Sequence, residues 1–95
     1  MRIFILDGAA MTDKAAAHEY LKRTLSLPEY YGGNLDALAD CLAGFNSHTH
    51  IILTSADRLY QNLGEYGIML VELFRELSMR AAAFSFAVDG EGIEE

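Results

Sequence analysis

A chain of 95 residues, 52% hydrophobic and 22% charged, has room for one domain with one small core, and disorder over most of its length is excluded. With 7 Lys and Arg against 14 Asp and Glu its net charge is −7, which repels nucleic acid and anionic membranes at long range and attracts a basic protein. No apolar run approaches the roughly 20 residues of a membrane span, the N-terminal run meets Asp7 too early for a signal peptide, and the single cysteine, Cys41, excludes an internal disulfide framework and fits a reduced cytoplasm.

Arg2 to Leu6 is a β-branched and aromatic run closed by Asp7-Gly8, which predicts a buried strand followed by a turn. Thr12-Asp13 supplies a helix N-cap, and Ala17, Tyr20, Leu21 and Leu25 follow at helical spacing, predicting a helix from Lys14 to Leu25. Ser26 to Gly33 reads as loop, with Pro28 and the Gly32-Gly33 pair as its markers. Asn34 caps a second, short helix that Gly44 ends. His50 to Thr54 is a second apolar strand, and Ser55 is expected to cap a third helix that stops at Leu63-Gly64. From Glu65 to about Arg80 a longer helix carries Tyr66, Leu70, Leu73, Phe74 and Leu77 on one face.

Ala82 to Val88 predicts a third strand with Phe84 and Phe86 on one side, and residues 89–95 form an acidic tail expected to fray. Strands separated by helices pair in parallel, and continuous apolar runs suit strands covered by helices. The expected fold is therefore a single α/β domain over residues 1–88, a three-stranded parallel sheet with about four helices packed on it.

The charge is unevenly spread. Between Arg23 and Arg58 there is no Lys or Arg, yet Glu29, Asp36, Asp40 and Asp57 fall there. Within the second helix Leu35, Leu38 and Leu42 share the core face, while Asp36 and Asp40 share the opposite one, with Ala39 and Ala43 beside them. Two carboxylates at i, i+4 repel by about 0.2–0.5 kcal/mol, and the helix dipole disfavours the one nearer the C-terminus. A charged face is often only a solvated face. The alternative is that the local cost persists because a partner uses it, with Tyr30, Tyr31 and the two glycines upstream as an adaptable contact surface.

Other chemistry is weaker. An acid/base role for Asp36 and Asp40 would need a concave site, which the solvent face of a short helix is not. His18, His48 and His50 lack further ligands at metal spacing. Cys41 has no basic neighbour to activate it and reads as a packing residue. Glu76 is explained by a helix pair with Arg80.

The run from Leu25 to Leu42 contains LPEYYG, one residue, NLDAL, one residue and DCL. It resembles the signature of the barstar family, intracellular inhibitors of barnase-type secreted ribonucleases. Phe74-Arg75-Glu76 resembles that family's last helix, and the element order agrees up to about Val88. The resemblance implies an immunity-type inhibitor whose acidic helix and preceding loop plug a ribonuclease active site, carboxylates standing where substrate phosphates sit. Carried over by motif, Asp40 is the central plug, Asp36 a second charge and Tyr30 an aromatic contact. Gly32 and Asn34 lie at the contact surface, and Glu76 reaches the same basic cluster. Phe45 stands where the family has a contacting tryptophan.

The chain also departs from the family pattern. Ala39 replaces a contacting tryptophan, Gly33 replaces a glutamate, His48-Thr49-His50 lacks the family's cis-proline, and a second cysteine is missing. The implied partner is a basic ribonuclease, met by a cytoplasmic protein that is monomeric when free, with no cofactor, metal, membrane or direct nucleic-acid contact. The alternative is the same fold neutralising a different basic nuclease or toxin.

Overall fold

The sheet is built from β1 (Arg2–Asp7), β2 (Thr49–Thr54) and β3 (Phe84–Val88), parallel and in the order β1-β2-β3. The computed structural model describes residues 2–44, 48–80 and 84–89. The first crossover carries α1 (Lys14–Thr24) and α2 (Leu35–Ala43), and the second α3 (Ala56–Leu63) and α4 (Glu65–Arg80). A single 3-10 turn, Gly8–Ala10, follows β1. The expected α/β architecture is thus the observed one. The residues of the expected third strand before Phe84, like the expected acidic tail beyond Asp89, lie outside the described residues.

The helices cover one face of the sheet only. Two successive crossovers step across the sheet in the same direction. Right-handed crossovers of that kind deliver every helix to the same side. The register aligns Phe4, Ile51 and Phe86 on the helical side, then Leu6, Leu53 and Val88. Leu6, Ile51 and Leu53 are buried there, whereas Ile3 and Ile5 on the opposite side are each 59% exposed. A continuous apolar run looks the same whether one face is covered or two, because strand order is not encoded locally.

The core fills the space between the sheet and the helices, with Leu21 and Leu25 from α1 and its end, Leu38 from α2, Leu59 from α3 and Leu70 and Phe74 from α4. Each such side chain contributes roughly 1.5–3 kcal/mol relative to exposure. Phe74 stacks on Phe84 and Phe86, with centroids 6.4 and 5.2 Å away, so aromatic packing ties the edge strand β3 to α4.

Caps explain the helix starts, with one exception. Asp13 and Asn34 have extended backbones, and their side-chain oxygens accept from the amides of Ala16 and Ala37, each at 2.8 Å. Ser55 was expected to do the same for α3 but makes no side-chain cap. No spare residue separates β2 from α3, so Ser55 itself turns the chain with φ 54°, a left-handed conformation costing about 1–2 kcal/mol. Its carbonyl instead accepts from the amides of Arg58 and Leu59. That carbonyl also fixes Gly8, where a Cβ atom would lie 2.3 Å from it.

Candidate functional site: the α1–α2 loop and the acidic face of α2

The loop between α1 and α2 is shaped by a few fixed points. Ser26 takes a left-handed φ of 56°, and the Leu27 amide reaches back to the Lys22 carbonyl at 2.9 Å, closing the end of α1. Leu27 is buried and anchors the loop's start. Pro28 opens a turn closed by the Tyr31 amide on the Pro28 carbonyl at 3.0 Å. Gly33, at φ 72°, then swings the chain into the Asn34 cap.

The two adjacent tyrosines part company. Tyr30 sits at the corner of the turn and is 87% exposed. Tyr31 is half-buried, and its hydroxyl lies 2.5 Å from Nδ1 of His18 on α1. His18 is only 6% exposed, and its Nε2 lies 2.5 Å from the hydroxyl of Tyr66 on α4. Desolvation holds the His18 pKa below its ordinary value. Burial, with smaller contributions from Tyr66 and Cys41, pushes the Tyr31 phenol up to about 12, and burial raises that of Tyr66. All three groups are therefore neutral near pH 7.

The sequence reading weighed His18 only as a metal ligand and Tyr66 only as core. The available signal was a polar ring on the same side of α1 as Ala17 and Leu21, which demands a partner when buried. The other histidine with a described side-chain partner, His50, meets Ser85 Oγ at 2.6 Å.

On α2 the periodicity is realised. Leu38 and Leu42 are buried and Leu35 half-buried, while Asp36 and Asp40 are exposed, one turn apart, with no ion pair among the described residues. Gly32 and Asn34 are exposed beside them. Ala39 is corrected from exposed to half-buried. At about 100° per residue it falls between Leu35 and Asp36, at the margin of the core. Cys41 is a free thiol packed against the core. Phe45 lies outside the described residues.

α4 packs against α2 and carries Glu76 on an exposed position. Its Oε2 is 3.2 Å from Nη1 of Arg80 one turn on. Glu29, the remaining acidic residue of the loop, is 3.6 Å from Lys22. The Glu76–Arg80 pair is solvent-exposed, and in the Lys22–Glu29 pair Glu29 is exposed and Lys22 half-buried; pairs at the surface are worth about 0–1 kcal/mol.

This arrangement can be set beside known proteins. The sequence profile of the family described as Barstar (barnase inhibitor) matches residues 1–91. The chain belongs to the barstar family. It is also 36% identical, over 77 residues, to the "Putative ribonuclease inhibitor YrdF" of Bacillus subtilis (strain 168), a match covering 80% of this chain and 85% of that protein. Membership of the barstar family places the chain among ribonuclease inhibitors, not enzymes. Among the described residues no group of three or more His, Cys, Asp or Glu side chains is arranged to hold a metal ion, and no helix is long and apolar enough to cross a membrane.

Proposed function

We propose that the chain inhibits a basic ribonuclease by inserting Asp40 and Asp36 into the cleft that receives RNA phosphates. Tyr30, Gly32 and Asn34 flank them, and Phe45 and Glu76 extend the contact from the end of α2 and from α4. One observation carries this reading: two carboxylates stand one turn apart on a helix whose other side is buried, and neither has a cation partner among the described residues. A partner's Arg, Lys or His would relieve their mutual repulsion and the unfavourable helix-dipole position of Asp40 together. The free protein acts as a monomer in this scheme.

Ala39 bears on which ribonuclease is bound. A methyl group at the margin of the core offers little apolar surface next to the acidic pair, so the preferred target presents a bulkier surface opposite it than barnase does. The test is titration of the full chain against barnase-type ribonucleases in an RNA-cleavage assay, with Asp40→Ala and Asp57→Ala beside the wild type. The reading expects loss of inhibition with Asp40→Ala alone, and inhibition that weakens as salt screens the charges beyond about 8 Å. Equal inhibition by wild type and Asp40→Ala would overturn it.

A further inference from the structure

The geometry points to His18 as the positioning residue of the inhibitory loop: it ties Tyr31, and through it the loop that displays Tyr30, to Tyr66 on α4. The inference rests on the inhibitor reading for its functional half only. Its structural half concerns the free chain.

The link joins parts of the chain far apart in sequence, since His18 is 13 residues before Tyr31 and 48 before Tyr66. A neutral imidazole has one donor and one acceptor nitrogen, so one tyrosine hydroxyl must donate to it and the other accept from it. The trio is satisfied only when α1, the loop and α4 are all in place. Ring packing supports the same geometry, with the His18 ring 5.7 Å from that of Tyr31 and 5.8 Å from that of Tyr66.

Apart from the Tyr31 side chain, little among the described residues holds the middle of the loop. An open cleft of about 230 Å³, lined by Ala15, His18, Glu19, Lys22, Tyr31 and Gly33, separates it from α1. Its other described supports are Leu27 in the core, the Asn34 cap, and the Tyr31 ring, which packs against the core beside its hydroxyl contact. Between them, the Lys22–Glu29 pair, 3.6 Å apart with Glu29 fully exposed, is too weak to fix a backbone. The Tyr31 hydroxyl is thus the internal pin. It sets the turn closed by the Tyr31 amide, and so the direction in which Tyr30 projects. A loop held in its binding shape spares the ordering cost that a mobile one meets on association.

The experiment compares wild type, Tyr31→Phe, Tyr66→Phe, His18→Ala and His18→Gln as full chains. Amide hydrogen exchange of residues 29–34 in the free protein is the deciding readout, with melting curves and ribonuclease titration alongside. Loss of one such hydrogen bond is expected to speed loop exchange about three- to tenfold in Tyr31→Phe, with α2 and α4 amides unchanged. Inhibition should weaken by a similar factor. His18→Ala should do at least as much, and His18→Gln, which keeps a donor and an acceptor, should restore part of it. Tyr66→Phe should give a smaller effect, because it frees the ring without cutting the loop contact.

Unchanged loop exchange in folded Tyr31→Phe and His18→Ala would overturn the proposal, whatever the titration gives. Faster exchange spread evenly over the whole domain would overturn it too, by making His18 merely structural. If the loop responds as expected while even the wild type fails to inhibit, positioning stands and the inhibitor reading falls.

Discussion

The helices α2 and α4 treat their exposed carboxylates differently. On α2, Asp36 and Asp40 have no cation among the described residues, and their repulsion is unrelieved. On α4, Glu76 already has Arg80 at 3.2 Å. An unpaired carboxylate brings its full charge to an incoming base, whereas a paired one must first give up a neighbour or share it. The binding energy should therefore be concentrated on α2, with α4 contributing a smaller, more screened share.

The largest expected effect is at the α2 end. Asp40→Ala should cost about 3–5 kcal/mol of binding to the target ribonuclease, the range for removing one member of an ion pair that becomes buried. The free mutant should melt no lower than wild type, because the i, i+4 repulsion with Asp36 disappears. A marked drop in melting temperature would make Asp40 structural and erase the contrast between the helices.

Ala39→Trp sharpens the same end by adding apolar surface beside the acidic pair. It should strengthen inhibition of barnase, by at most about 1.5–3 kcal/mol. Because Ala39 lies half-buried against the margin of the core, a small loss in melting temperature should accompany the gain. A wild type that inhibits barnase as tightly as the tryptophan variant would remove position 39 from the determinants of specificity.

Acid should act on the scaffold beneath the loop. The His18 pKa is lowered on folding from its ordinary 6.5, so the unfolded chain takes up a proton first. The stability this neutral histidine contributes is fully present above about pH 6.5 and is lost as pH falls towards the folded value. Around it stand the Tyr31 and Tyr66 hydroxyls, Lys14 with its ammonium 4.7 Å from the Tyr66 ring centre, and Glu19 and Lys22 at the cleft. Urea unfolding at pH 7.5 and at pH 5 should give a stability difference that shrinks in His18→Gln. An equal difference in both proteins would assign the acid sensitivity elsewhere.

The smallest effects belong to α4. Glu76→Gln should weaken binding by about 0.2–1 kcal/mol, and Arg80→Gln should strengthen it by a similar or smaller amount by releasing the carboxylate. Equal losses for Glu76→Gln and Asp40→Ala, measured at one salt concentration, would show that the Arg80 pair does not discount Glu76.

Features carried by neighbours in sequence were legible before the fold was known. The apolar runs marked β1 and β2, Asp13 and Asn34 acted as caps, and the spacing of Leu35, Leu38 and Leu42 against Asp36 and Asp40 gave the acidic face. Features set by distant partners were not. The open side of the sheet depends on strand order, the left-handed Ser55 on the absence of a linker residue between β2 and α3, and the His18 trio on three elements meeting. Within the site, residue patterns alone explained Glu76 by Arg80, and only the family resemblance drew it towards α2.

The contact between His18 and Tyr66 also has a consequence in time. A growing chain makes α1, the loop and α2 well before α4 exists. Long-range contacts form late because their chain closure must precede their reward. The Tyr66 half of the trio is then added only after α4 has emerged and docked, whereas the Tyr31–His18 contact lies wholly in the earlier part of the chain. A chain stalled before Tyr66 therefore carries the acidic helix and the Tyr31–His18 contact, but lacks the α4 hydroxyl that completes the trio.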